Sequence, residues 1–110
     1  MEEYAVKITR QAQAQMAEIT DYIAFVLQAP DIALRLLDSL EAEIASLSNF
    51  PGRAALTEEE PWHSLGIHQL SVKNYLVYFW IDEDHRIVQV TAVIHGIRDQ
   101  KKQLLQMELT

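Results

Sequence analysis

The chain contains no cysteine, which removes disulfides, thiolate nucleophiles and thiolate zinc sites together. Glycine and proline are scarce as well, three of each, and there is no internal repeat or low-complexity tract. No apolar run approaches the roughly 20 residues needed to cross a bilayer. The opening residues, MEEYAVKITR, lack the basic start and apolar block of a signal peptide. A cytoplasmic protein without membrane contact is therefore expected. Bases are in deficit: nine Lys and Arg stand against sixteen Asp and Glu, for a net charge of −7. Such a charge repels nucleic acid at long range and argues against a general DNA- or RNA-coating protein.

Metal chemistry is left only to histidine and carboxylate. The four histidines, His63, His68, His85 and His95, show neither HxxxH nor HExxH spacing, so no metal and no cofactor is expected. What is present is an ordinary globular composition, 49% hydrophobic over 110 residues. That length suits one domain, residues 1–110, able to bury a core without staples. Charge is unevenly spread. Residues 1–60 hold eleven acids against four bases, whereas residues 61–110 hold five of each, so an anionic partner would be met by the second half.

The periodicities order the chain. "YAVKIT" at 4–9 alternates as a short strand does, and Thr9 can cap the helix that follows. From Gln11 to about Gln28, Met16, Ile19, Ile23, Val26 and Leu27 recur at steps of three and four, which predicts one apolar helical face. Pro30 stops that helix and Asp31 is expected to cap the next, in which Ala33, Leu36, Leu37, Leu40, Ile44 and Leu47 keep the helical period. The pair makes an antiparallel helical hairpin. "FPGRAALTEEEPWHSLG" loses all pattern and reads as an irregular connection. Three strands follow, near 67–72, 75–81 and 86–94, with short turns that force antiparallel pairing. The last two, "YLVYFWI" and "IVQVTAVI", are apolar on both faces. The hairpin covers one face; a short C-terminal helix in "DQKKQLLQMEL", with Leu104, Leu105 and Met107, covers part of the other. The expected fold is α+β in the order β-α-α-β-β-β, a helical hairpin on an antiparallel sheet.

This order, with Tyr4-x-Val6-x-Ile8-Thr9 at the start, "EITDYI" in the first helix, "LSNFPG" after the second, "LGIHQLSVKNYLVYFWID" through the meander and "VIHGIRD" at the end, resembles the RelE/ParE superfamily of toxins from type II toxin–antitoxin modules. It looks most like the ParE-like branch, in which a strand ending in His-Gly-x-Arg-Asp is common. The resemblance implies a plasmid-stabilisation type of toxin that a cognate antitoxin neutralises by wrapping its surface. ParE-like members poison DNA gyrase, whereas RelE-like members cut mRNA in the ribosomal A site.

The RelE-like catalytic pattern is thinly represented. Its first-strand lysines fall on Ile67, His68 and Gln69, its next arginine on Leu76 beside Tyr75, and only its last arginine is matched, by Arg98. The tail after Arg98 has no tyrosine or histidine, only Lys101 and Lys102. For a ribonuclease the candidates are therefore Arg98, His95 and His68, the histidines being able to exchange protons near neutrality. For contact with a target or antitoxin they are Arg98, His95, Lys73, Tyr75, Lys101 and Lys102. Each has a structural alternative: Arg98 and Asp99 as an ion pair and helix cap, His95 as a hydrogen-bonded strand end, Gly96 as a bend or positive-φ position, and Tyr75, Tyr78, Phe79 and Trp80 as packing rather than base stacking. The reading is a gyrase inhibitor first, a ribosome-dependent endoribonuclease second and a non-toxic antitoxin-binding relative third, so enzymatic activity is left open. A homodimer or a toxin–antitoxin hetero-oligomer is the assembly to expect.

Overall fold

The helical hairpin begins where the capping chemistry says it should. The Thr9 hydroxyl accepts a hydrogen bond from the Ala12 amide at 3.1 Å, satisfying one of the donors that a helix start leaves free. The computed structural model describes residues 3–96 and 107–109. Strand β1 spans Ala5–Ile8, helix α1 Arg10–Asp21 and helix α2 Pro30–Ala45; strands β2, β3 and β4 span His68–Val72, Tyr75–Asp82 and Ile87–His95.

Two helix boundaries differ from expectation. After Asp21 the first helix widens into a π-helical turn over Tyr22–Val26, in which the Leu27 amide donates to the Tyr22 carbonyl at 3.0 Å. The wider turn shifts the helical phase, so Met16 and Ile23 are buried while Val26 and Leu27, expected on the same face, are exposed. Asp31 is not the cap of α2: Ala29 occupies that position, Pro30 opens the helix, and Asp31 lies in the first turn. There its charge suits the positive end of the helix dipole, and the proline amide is no loss.

The sheet order is β1-β4-β3-β2. The meander is antiparallel as expected, with Val72 paired to Tyr75 and Asp82 to Ile87. The sheet as a whole is nevertheless mixed, because β1 lies parallel to β4. The two helices carry the chain across one face to the far edge, and two reversals then deliver β4 beside β1 in the same direction. A bulge between Tyr78 and Phe79 leaves Thr91 as an extra residue of β4.

Alternation along the strands builds two cores. The hairpin side buries Met16, Leu36, Leu40 and Ile44 against Val77, Phe79, Val88, Val90 and Val93. The opposite side buries Trp62, Ile67, Leu76, Tyr78, Ala92 and Ile94, with Trp80, Met107 and Leu109 packed on them. Trp62 arrives from the irregular connection, whose Leu56 bridges to His68. The expected C-terminal helix within 99–109 falls mainly outside the described residues, but Met107 and Leu109 do reach the face it was expected to cover. Among the described residues no helix is long and apolar enough to cross a membrane.

Candidate functional site

Lys73, Tyr75 and His95 meet at one end of the sheet because the β2–β3 turn and the end of β4 lie side by side. Lys73 occupies that turn at φ 55° and is exposed. Tyr75 opens β3 directly opposite His95, the last residue of β4. Their rings pack edge to face with centroids 5.1 Å apart, an arrangement that orients the imidazole. Gly96 follows, its amide donating to the Asn74 carbonyl at 2.8 Å. Its role is close approach and not positive φ, since a Cβ there would stand 3.3 Å from the Asn74 oxygen. The chain leaves this corner toward Arg98, Asp99, Lys101 and Lys102, which lie outside the described residues.

His68 is not part of that corner. It starts β2, pairs with Phe79 across the strands, stacks on the Phe79 ring at 5.1 Å, and donates from Nδ1 to the Ala54 carbonyl at 2.7 Å. Phe79 and Tyr75 are four residues apart on one strand, so His68 and His95 are offset by about 13 Å along it, with β3 between them. A base and an acid acting on one phosphate need reach of a hydrogen bond or one water. These two histidines do not have it.

Sequence reasoning missed the packing of the connection onto the sheet. His63 Nδ1 donates to the Thr57 carbonyl at 3.0 Å, and Glu60 accepts from both the amide and the hydroxyl of Ser64. The Ser64 hydroxyl bond, then its amide bond, holds the Glu60 carboxyl below its ordinary value. At the β3–β4 turn, desolvation is the largest single influence on Asp82, but the hydrogen bonds from the His85 ring and amide, with the His85 charge and the Asp84 amide, together outweigh it, and the carboxyl is also lowered. The Tyr78 hydroxyl is buried without a hydrogen-bond partner among the described residues. Burial, and next the charge of Glu59, push it up to about 12. A single Trp in a polar loop was the one signal that could have betrayed this cover.

The hairpin side carries a groove of about 570 Å³ lined by Val6 and Ile8 of β1, Met16, Ala17 and Thr20 of α1, and Leu37 and Ile44 of α2, among others. It adjoins an open sheet edge. The amides of Ala5 and Thr9 donate to the carbonyls of Arg86, just before β4, and of Val90 within it, so those of Val6 and Ile8 face outward. Among the described residues no cluster of three or more His, Asp or Glu could hold a metal ion. What the geometry offers is a surface for chains, with one open edge, one apolar groove and one polar corner.

A mixed four-stranded sheet under a helical hairpin is a small α+β architecture. The chain matches the family described as the ParE toxin of the type II toxin–antitoxin system parDE over residues 6–100, and it belongs to that family. Its fold is similar to a chain of the chromosomal ParDE toxin–antitoxin system from P. aeruginosa, with a TM-score of 0.68 and 21% identity over 84% of this chain and 96% of that one. It is also similar to a chain of the RelBE2 toxin–antitoxin complex from Mycobacterium tuberculosis, with a TM-score of 0.59 and 22% identity over 84% of this chain and 98% of that one. No curated protein matches it.

Proposed function

We propose that this chain is the toxin of a type II toxin–antitoxin pair that inhibits DNA gyrase and is held inactive by a cognate antitoxin. The observation that carries the reading is membership of the ParE family over residues 6–100. The site agrees with it. A gyrase poison traps a protein–DNA intermediate by binding, so it needs a surface and no set of acid, base and cation around one phosphate. The separation of His68 from His95, and the absence of lysine at Ile67, His68 and Gln69, weigh against the ribonuclease alternative. Arg98 is the one residue that reading retains.

An antitoxin that wraps the toxin has two natural holds. The groove between β1 and the hairpin accepts apolar side chains, and the outward amides of Val6 and Ile8 are placed on that edge to donate to the carbonyls of an added strand. Both similar structures come from toxin–antitoxin systems, which supports a protein partner of this kind.

Expression of the chain from a tight promoter, without antitoxin, tests the function directly. Gyrase inhibition gives DNA breaks and filamentation while translation at first continues. Prompt translation arrest with cut transcripts assigns the chain to mRNA cleavage instead, and normal growth assigns it to antitoxin binding without toxicity. Either of the latter two results overturns the proposal.

A further inference from the structure

Six of the nine large apolar residues that the described chain leaves exposed fall between positions 22 and 34: Tyr22, Phe25, Val26, Leu27, Ile32 and Leu34. Phe25 is 74% and Val26 64% exposed. Two backbone features place them there. The π-helical turn over Tyr22–Val26 keeps only Ile23 buried, and Gln28 takes a left-handed φ of 52°, a conformation that costs a non-glycine residue stability. The turn packs against α2, so Tyr22, Phe25, Val26 and Leu27 stand beside the start of that helix as a knob at the tip of the hairpin. Neither the exposed apolar area nor the left-handed turn strengthens the fold. Single-turn π insertions and strained turns are enriched where proteins act, and a contiguous exposed apolar patch marks an interaction surface.

Charge narrows what the knob can meet. Glu18, Asp21, Asp31 and Asp38, all exposed, lie on the helical segments that lead into and out of it, and Arg35 is the only base from 18 to 38. A second copy docked tip to tip would bring two acidic rims together, and an anionic bilayer would repel the rim. The complementary occupant is a protein surface with an apolar seat and a lysine- and arginine-rich border.

We propose that the hairpin tip is the surface by which this toxin grips its target protein, at an apolar seat bordered by basic residues on gyrase. This rests on the gyrase reading: an enzyme that handles DNA carries basic surface along the DNA path, which an acidic rim complements. The tip is separate from the groove beside β1, so target and antitoxin are held by different parts of the toxin.

Two variants test it in a supercoiling assay with purified gyrase. F25S/V26S/L27S removes the knob at positions already in water, and D21K/D31K reverses part of the rim. The expected result is that the triple variant needs at least about tenfold more protein for half-inhibition, as loss of a central apolar anchor implies. D21K/D31K is expected to be several-fold weaker and less sensitive to added salt. The triple variant is expected to show the thermal unfolding of the parent and D21K/D31K a slightly lower one, because Lys at position 31 faces the positive end of the α2 dipole; the charge reversal keeps the test decisive if the triple variant is unfolded. Full inhibition by folded variants overturns the proposal, as does a parent dimer that the triple variant dissolves. A parent without effect on gyrase overturns the proposed function instead. Growth arrest on expression then decides the tip: its loss in the variants supports a target-gripping knob, and its retention overturns it.

Discussion

The two faces of the sheet are covered by different means. On one, α1 and α2 lay down Met16, Leu36, Leu40 and Ile44 at helical intervals over Val77, Phe79 and Val90. On the other, cover among the described residues comes from single side chains: Trp62 out of an irregular connection, and Met107 and Leu109 near the C-terminus. The contrast shows two ways of burying the same kind of strand. A helix brings several apolar residues for one boundary event, because its period repeats them. A loop brings one large residue and needs its own hydrogen bonds to stay in place. Here these are His63 to Thr57, the Ile67 amide to the Trp62 carbonyl, and Glu60 to Ser64.

Truncation on the helical face is expected to be the most costly. Leu40 is fully buried, so Leu40→Ala should lose about 2–5 kcal/mol in urea unfolding, with no segment free to close the cavity. Trp62→Ala is expected to cost less, about 2 kcal/mol, although the side chain is larger, because the connection can settle toward the sheet. Should Trp62→Ala prove the more damaging, the loop face is the principal core and the contrast between the faces fails.

The smallest effect is expected at Tyr78, whose hydroxyl is buried beneath that loop face. Tyr78→Phe should be neutral or stabilising by up to about 1 kcal/mol near neutral pH, since it removes a buried polar group with no partner among the described residues. Its effect on alkaline stability sharpens the contrast further. The folded protein holds Tyr78 at about 12 against an ordinary 10.0, so it favours the neutral form. That contribution is complete below pH 10 and is lost as the pH rises toward 12. Thermal melts between those values should fall steeply for the parent and less for Tyr78→Phe. Equal slopes would show that the loop face admits solvent to the hydroxyl.

The parts legible beforehand share a local cause. Thr9 as cap, the buried stripe Ala33, Leu36, Leu40, Ile44 and Leu47, and the meander register around Lys73-Asn74 all follow from interactions within a few residues. The errors share a cause as well. Val26 and Leu27 fit the 3.6-residue pattern, but that pattern assumes unbroken α-helix, and one wide turn moved them to the outside. Gly96 was expected to bend or to take positive φ; it does sit in a turn after β4 without positive φ, and what was missed is its close approach to the Asn74 carbonyl, 22 residues away in sequence. For the candidate site, the pairing of Tyr75 with His95 was not legible, and His68 was grouped with His95 although β3 lies between them and they pair with residues at opposite stretches of it, Phe79 and Tyr75.

The sequence by itself determined the element order, the α+β class and the family, because periodicity, capping and turn chemistry act over short spans and recur in fixed order. Tertiary structure alone decided that β1 runs parallel to β4, that Trp62 closes the second face, that the histidines stand apart, and that an apolar knob with an acidic rim projects from the hairpin. Each of these depends on which distant segments share a surface, and no local pattern of residues encodes that.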